Sequence, residues 1–286
     1  PENNTTYKIL MTSGSLATEF DDSAAFPYHF MAGAPYGPQL EMLLRYIKST
    51  HKTGTPTLAI VHSNIALGRD GIDFAVATAK KLGVEVKLVQ QTKFVEADVS
   101  PYALALRQAK PDYVIFHGYA YAVWPEIMRL VRDYGLKDTK FLASVWQMER
   151  EKVMELGPIA DGLIGVSPFA FSTTGPDAGP TMKIIDDILR KKNPAYSGYP
   201  PIGYVQSWMN AMIATRAIEI TLDAGKPLDG DNLAAALHTI KNWDTGGIFG
   251  VPVAFTGQKI GVGRVYRWNA GEAWTPEPVS DWLRVE

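Results

Sequence analysis

Two histidines come closest, among the residues of this sequence, to an arrangement that could carry out chemistry. His62 and His117 each stand near the end of an apolar run of strand length, TLAIVHSN and DYVIFHG. Because parallel strands place their carboxyl ends at one edge of a sheet, the two imidazoles could form an acid–base pair or part of a metal site. Neither an H-x-x-x-H spacing nor a neighbouring carboxylate accompanies them, so we interpret them as polar groups lining a cleft and predict no metal site.

A run of small hydroxyl-bearing residues is the second feature that suggests chemistry. The segment MTSGSLATEF follows the apolar run YKILM, and such a turn could cradle a phosphate, hold a nucleophile, cap a helix or present hydroxyls to a ligand. The sequence has neither a G-x-x-x-x-G-K-[ST] phosphate loop nor a G-x-S-x-G nucleophile turn. The turns after Asn64 and His117 also lack the dinucleotide pattern G-x-G-x-x-G. We therefore predict no catalytic residues and no cofactor.

Aromatic and polar residues recur where the predicted strands end, which favours a binding site over a catalytic one. If the strands are parallel, their ends share one edge, and aromatic rings beside a few hydroxyls are the usual lining of a small-molecule site. The alternative interpretation is that each ring is a core residue beneath a loop. The residues at these ends are Ser13, Ser15, Thr18, Asn64, His117, Tyr119, Tyr121, Trp146, Gln147 and Phe169.

The elements that must position these residues alternate between strand and helix patterns. Continuous apolar runs at 7–12, 57–64, 84–90, 112–118, 140–145 and 161–169 predict buried strands. Helical spacing at 40–47, 71–82 and 127–134, and a Ser-Pro start at residue 100 with Ser100 as the N-cap, predicts the helices between them. This alternation predicts an α/β fold with a parallel sheet flanked by helices. Further helices are expected at about 181–191, 203–224 and 231–241, before a β-rich tail.

The composition excludes several classes of function. The 286 residues carry a net charge of −2 and include no cysteine, so neither a global basic field for nucleic acid or anionic lipid nor a disulfide is expected. The apolar runs have strand length and predict no membrane-spanning segment. The chain begins at Pro1 without a methionine, which we interpret as the mark of a processed, trimmed or incomplete chain.

The order of these motifs resembles the leucine/isoleucine/valine-binding family of ABC-importer solute-binding proteins, which have the type I periplasmic-binding fold. Each motif is weak by itself, whereas their order and spacing over the whole chain are specific. The segments that carry the resemblance are YKILMTSGSLATEF, HFMAGAPYGPQLEMLLRYI, TLAIVHSNIALGRDGIDFAVATAKKLGVEV, KPDYVIFHGYAYAVWPEIMRLVRDYGL, DGLIGVSPF and GRVYRWNAGEAW.

The resemblance implies a two-lobed protein that binds a solute without chemistry. Its lobes would close on the solute, and a membrane permease would recognise the closed form in a periplasmic or extracytoplasmic compartment. We expect part of lobe one at 1–53, lobe two at 54–168, the return of lobe one at 169–260 and a tail of lobe two at 261–286. Hinge crossings are expected near 53–57, 168–174 and 260–264.

The resemblance also implies a carboxylate site. In this family the turn after the corresponding strand binds a ligand carboxylate through main-chain N–H groups and a hydroxyl. Ser13, Ser15, Ala17 and Thr18 occupy that turn here. Tyr119 or Tyr121 matches the ligand-contacting aromatic residue of the family.

Differences from the amino-acid-binding members bear on the ligand. Trp146 and Gln147 stand near the position where those members have an acidic residue for the ligand ammonium, and Leu67 stands where they often have tyrosine. A desolvated ammonium would lose its natural partner without that carboxylate. We therefore expect a small carboxylate, preferably an aromatic or apolar acid, over an amino-acid-like solute with a free α-amino group.

The beginning of the chain departs from the family pattern. Family members carry several βα units of lobe one ahead of the strand that corresponds to residues 7–12, and this sequence lacks them. Without neighbours, that apolar strand would leave an unpaired edge. We expect that the missing half lobe comes from the same precursor or from another chain.

Two other classes of function fit the same pattern. One is a ligand-sensing regulatory domain of the same fold, which would pass lobe closure to a signalling partner. The other, less favoured, is an α/β enzyme that uses His62 or His117 in the cleft.

Overall fold

The chain divides into two compact units in a computed structural model that describes residues 2–119, 123–173, 178–269 and 275–285. The first unit comprises Pro1–Tyr36, Pro168–Gly263 and Trp282–Glu286, and the second comprises Gly37–Ser167 and Arg264–Asp281. This division groups residues 37–53 with the second unit, and it groups residues 261–263 and 282–286 of the expected tail with the first. The lobe boundaries expected from the sequence stay a prediction.

Helices and strands alternate along most of the described chain. The helices are α1 (Glu2–Tyr7), α2 (Tyr36–Thr50), α3 (Ala66–Arg69), α4 (Ile72–Leu82), α5 (Ser100–Ala109), α6 (Trp124–Asp133), α7 (Arg150–Leu156), α8 (Pro180–Lys192), α9 (Ile202–Asp223) and α10 (Gly230–His238). The strands are β1 (Met11–Thr12), β2 (His29–Phe30), β3 (Thr57–Ser63), β4 (Glu85–Thr92), β5 (Tyr113–His117), β6 (Lys140–Ala143), β7 (Ile164–Ser167), β8 (Val262–Asn269), β9 (Thr275–Pro278) and β10 (Leu283–Arg284). Short 3-10 helices occur at Thr18–Asp21, Val145–Met148 and Gly157–Ala160.

A mostly parallel sheet forms the core of the second unit. Its strand order is β4-β3-β5-β6-β7-β8-β9, in which the pairs from β4 to β7 are parallel and the last two pairs are antiparallel. Every residue of β3, β5 and β7 is buried, as expected when helices cover both faces of a parallel sheet. The prediction of an α/β fold with a parallel sheet flanked by helices is confirmed.

Helix α2 shows how the helical spacing of the sequence becomes packing. Leu40, Leu43, Leu44 and Ile47 fall on one stripe, and all four side chains are fully buried. Burying an aliphatic side chain of this size contributes about 1.5–3 kcal/mol, so this stripe anchors the helix to the second unit. The helix predicted from these residues is therefore confirmed.

Helix α5 begins one residue differently from the prediction. Ser100 is the first helical residue and Val99 occupies the N-cap position, whereas Ser100 was expected to be the cap. The side chain of Asp98 takes the capping role instead, because its Oδ1 accepts a hydrogen bond of 2.9 Å from the main-chain N–H of Ser100.

The first unit contains α8, α9, α10 and the short parallel pair β1 and β2. Met11 pairs with His29 and Thr12 with Phe30. The prediction of a buried strand over residues 7–12 is wrong, because α1 extends to Tyr7 and only Met11 and Thr12 are strand. Tyr7 is 66%, Ile9 61% and Met11 42% exposed. Within the described residues β1 pairs with β2 alone.

The helices of the described ranges do not reach the length and hydropathy of a membrane span.

Candidate functional site

The carboxyl ends of β3 and β5 bring the two candidate histidines of the second unit together. His62 and His117 are register partners on these neighbouring strands, and both are buried. Burial lowers the pKa of His117 to about 4, although main-chain groups of Leu67 and Asp70 oppose the shift. Burial also lowers the pKa of His62. Both imidazoles are therefore neutral at pH 7, and the enclosure of His117 does not suit proton exchange with a bound molecule.

The aromatic residues of the second unit form a pair at the same sheet edge. The ring centroids of Tyr119 and Trp146 lie 6.2 Å apart, with 34° between their planes. Trp146 is positioned by the 3-10 helix Val145–Met148, which follows β6 directly. We call the rings of Tyr119 and Trp146 the aromatic pair. The structure thus brings together two residues that the sequence places far apart.

Gln147 joins the two strand ends that carry the aromatic pair. Its Nε2 donates a hydrogen bond to the carbonyl oxygen of Gly118, the residue before Tyr119. The main-chain N–H of Val145 donates to Oε1 of Gln39 at 3.3 Å, which ties the same turn to α2. Gln39 was not predicted from the sequence. The only indication there is that it is a polar residue beside the apolar stripe of α2.

Ser63, at the end of β3, is a further site-edge residue that sequence reasoning missed. Its Oγ accepts a hydrogen bond of 3.2 Å from the main-chain N–H of Tyr119. Asn64, the next residue, is half-buried, and its N–H donates to the carbonyl oxygen of Thr92 at 2.9 Å. Leu67 is half-buried on the short helix α3. Tyr121 lies outside the described residues, and the choice between Tyr119 and Tyr121 stays open.

A small cavity lies beside Gln147. Its volume is about 50 Å³. Sites for small molecules usually enclose about 300–1,000 Å³, so this cavity is too small to hold a solute by itself. Its lining is mainly apolar, with Phe116, Trp124, Pro125, Met128, Ala143, Gln147, Lys152, Glu155, Leu156 and Leu163.

The hydroxyl-rich turn of the first unit is held by its own side chains. Ser13 Oγ donates to the carbonyl oxygen of Ser15 at 2.9 Å and lies 3.0 Å from Nε2 of His29. Ser15 Oγ accepts a long hydrogen bond of 3.3 Å from the N–H of Ala17. Ser13, Ser15, Ala17 and Thr18 are all half-buried. The turn therefore remains partly accessible, and its carboxylate-binding role stays a prediction.

Helix α9 fixes the start of this turn. The amide of Asn210 donates to the carbonyl oxygen of Ser13 at 3.1 Å, and that of Gln206 approaches the same oxygen at 3.5 Å. Main-chain N–H of Leu16 contacts the hydroxyl of Tyr36 at 3.4 Å. The turn is thus anchored at Ser13 and again at Leu16.

Phe169 is placed differently from the other predicted site residues. It belongs to the first unit, is only 1% exposed and packs against Phe249, with ring centroids 5.7 Å apart. This environment is that of a core residue, and its predicted contact with a ligand stays untested.

The side chains that commonly bind metals are scattered in the described part of the chain. Its His, Asp and Glu side chains form no cluster of three or more that could hold a metal ion.

Comparison with known proteins gives a family match and many fold neighbours. The family model described as periplasmic binding protein matches residues 4–273. A branched-chain amino acid ABC transporter protein of Thermus thermophilus with bound valine has a TM-score of 0.81 at 20% identity, over 97% of this chain and 73% of that one.

Two neighbours come from Rhodopseudomonas palustris. A solute-binding protein in complex with 3,4-dihydroxybenzoic acid has a TM-score of 0.72 at 16% identity, over 98% of this chain and 74% of that one. Another, in complex with 4-hydroxybenzoate, has a TM-score of 0.76 at 16% identity, over 97% of this chain and 72% of that one. At these identities the likeness establishes the fold. No curated protein sequence matches significantly.

The family model covers nearly the whole chain, and the neighbours share its α/β architecture. The resemblance inferred from the order of the motifs is confirmed at this level. The chain belongs to the periplasmic binding protein family.

Proposed function

We propose that this chain is the extracytoplasmic solute-binding component of an ABC importer and that it binds a small carboxylate without altering it. The aromatic pair carries the proposal, because it places two rings 6.2 Å apart at the carboxyl edge of a parallel sheet. In α/β folds this edge is where ligands bind, and aromatic side chains suit a largely apolar solute. Membership of the periplasmic binding protein family supports the same conclusion.

The residues around the aromatic pair favour an aromatic or apolar acid as the solute. Val145–Met148 contains no carboxylate for a ligand ammonium, and the amide of Gln147 is already bonded to Gly118. A free α-amino group would therefore be costly to desolvate here. Two neighbours hold hydroxybenzoic acids and one holds valine, so these compounds are natural probes.

The turn of the first unit, considered by itself, carries groups that suit a carboxylate. The hydrogen bond from Ala17 N–H to Ser15 Oγ is long at 3.3 Å, and a carboxylate oxygen would be a stronger acceptor for the same N–H. The hydroxyl of Ser15 could then donate to the carboxylate. A membrane permease is the proposed partner, and lobe closure on the solute stays a prediction.

Thermal unfolding in the presence of 4-hydroxybenzoate, 3,4-dihydroxybenzoate, benzoate, valine and leucine tests this function. A ligand present at one hundred times its dissociation constant stabilises by about 2.7 kcal/mol. We expect the aromatic acids to raise the unfolding temperature, and Trp146→Ala to abolish the increase. Trp243→Ala is the control, since Trp243 is a half-buried indole of the first unit whose main chain pairs with Val253. The proposal is wrong if no carboxylate binds, or if Trp146→Ala binds as tightly as the control.

We also propose that a further segment, from the same precursor or another chain, covers the apolar run at Tyr7, Ile9 and Met11. These side chains are exposed beside β1, whose second edge is unpaired within the described residues. A strand added there would bury them and extend the sheet.

A photo-crosslinking amino acid at position 9, in protein expressed from its native coding sequence, tests this second proposal. A crosslink to a peptide of the same chain outside residues 1–286 would identify the same precursor, and an adduct to another polypeptide would identify a second chain. If irradiation gives no crosslink at position 9, although the same group reacts at the buried position 30, the surface is not covered.

A further inference from the structure

We infer that Ser63 is a positioning residue for the aromatic pair, through a clamp on the peptide group that joins Gly118 to Tyr119. The inference rests on the proposed function, because it assigns a role to a residue behind the proposed binding wall. Ser63 is fully buried at the end of β3, between the predicted lining residues His62 and Asn64, and is not itself among the predicted ligand-binding residues.

Both polar ends of that one peptide group are held by side chains. Its N–H, on Tyr119, donates to Ser63 Oγ at 3.2 Å. Its carbonyl oxygen, on Gly118, accepts from the amide of Gln147. A peptide group bonded at both ends cannot rotate about the chain without breaking a buried hydrogen bond, so the direction in which Tyr119 leaves the strand is fixed.

The clamp also links the two rings. Gln147 follows Trp146 in the same 3-10 helix, so the side chain that holds the Gly118 carbonyl belongs to the segment that carries the second ring. Ser63 and Gln147 together therefore set the position of Tyr119 relative to Trp146. The loss of either hydrogen bond would free one side of the aromatic pair.

The backbone around Ser63 is shaped for this contact. Gly118 has φ of +107°, and a Cβ atom there would overlap Ser63 Oγ. A Cβ atom on Gly68 would overlap the same hydroxyl from the α3 side. Only glycines at both positions let the serine hydroxyl approach the peptide group so closely. Three separated segments thus converge on one hydroxyl.

Amide hydrogen exchange of ¹⁵N-tyrosine-labelled protein tests the clamp without any ligand. We expect Ser63→Ala to accelerate exchange of the Tyr119 amide by at least tenfold. Ser144→Ala is the matched control, because it removes an equally buried hydroxyl just after β6 that makes no hydrogen bond within the described residues. Equal exchange in the two variants would overturn the inference. If Ser63→Ala does not fold, the exchange rate of the Tyr119 amide in the wild-type protein tests the inference instead. An amide that exchanges without protection in the wild type would also overturn the inference.

Affinity for 4-hydroxybenzoate, measured by calorimetry, gives the functional readout. We expect Ser63→Ala to bind at least tenfold more weakly than Ser144→Ala when both variants are measured well below their unfolding temperatures. Equal affinities in the two variants would overturn the positioning role. If the wild-type protein binds none of the carboxylate probes, the proposed function fails, and the exchange experiment still decides whether Ser63 holds Tyr119.

Discussion

His62 and His117 are register partners on neighbouring parallel strands, and both side chains are buried at the end of the sheet. Burial holds the pKa of His117 at about 4, below the ordinary histidine value of 6.5. Between these two values the unfolded chain takes up a proton that the folded chain does not, so stability falls as pH falls. We expect His117 to lower the free energy of unfolding by about 2 kcal/mol between pH 7.5 and pH 5.

Urea denaturation at several pH values measures this effect. His117→Asn should reduce the slope of stability against pH in the acid range, even if the variant is less stable overall. His51→Asn, at a partly exposed histidine, serves as the control. A slope in His117→Asn that equals that of the wild type would show that His117 is not the source.

We expect the loss of one partner of an ion pair in the first unit to reduce the free energy of unfolding. Nζ of Lys259 lies 2.5 Å from Oδ2 of Asp21, and the lysine side chain is almost fully buried. Lys259→Met would leave the carboxylate of Asp21 partly buried without its cation, which costs about 3 kcal/mol. The double variant, Lys259→Met with Asp21→Asn, should lose less free energy of unfolding than Lys259→Met alone, because neither charge remains. Urea unfolding that gives the double variant the larger loss would contradict this account.

Two leucines of the second unit should respond very differently to truncation. Leu44 on α2 is fully buried, whereas Leu104 on α5 is 41% exposed. Leu44→Ala should lower the free energy of unfolding by about 2–5 kcal/mol, because it removes buried methyl groups and leaves a cavity. Leu104→Ala should cost less than about 1 kcal/mol. Similar losses in chemical denaturation would mean that α2 does not pack as described.

A comparison of two glycines with positive φ allows the cost of backbone strain to be measured apart from the cost of steric overlap. Gly118 and Gly135 have φ of +107° and +91°, but a Cβ atom would overlap Ser63 only at Gly118 and meets nothing within 4 Å at Gly135. Gly135→Ala should cost about 1–2 kcal/mol for its backbone conformation. Gly118→Ala should cost clearly more. Equal costs by thermal denaturation would argue against the close approach of Ser63 Oγ.

The sheet of the second unit was predictable because its signals are local. The run at β3 is apolar throughout, which indicates burial on both faces, and α2 repeats its leucines at helical spacing. The run at residues 7–12 has the same apolarity, yet only Met11 and Thr12 form a strand. An apolar pattern reports which residues favour burial, and it does not report whether a neighbouring strand is present to bury them.

The candidate site was predictable only in part. Parallel topology alone places Tyr119 and Trp146 at one sheet edge, so their proximity follows from the strand order. Phe169 has the same signature in the sequence, yet it packs into the core against Phe249. The contact between Ser63 and Tyr119 depends on the close approach of two loops, for which two separated glycines, Gly68 and Gly118, are the only sequence signal.

Each of the two units is built from segments that are separate in sequence, and this arrangement affects how the chain can fold during synthesis. The second unit needs Arg264–Asp281 and the first needs Trp282–Glu286, so neither has all its segments until translation has passed residue 280. Domains that are continuous in sequence can mature one after another during translation, and this chain cannot follow that order. A nascent chain that is still incompletely folded can be threaded through an export channel, as the proposed extracytoplasmic location would require.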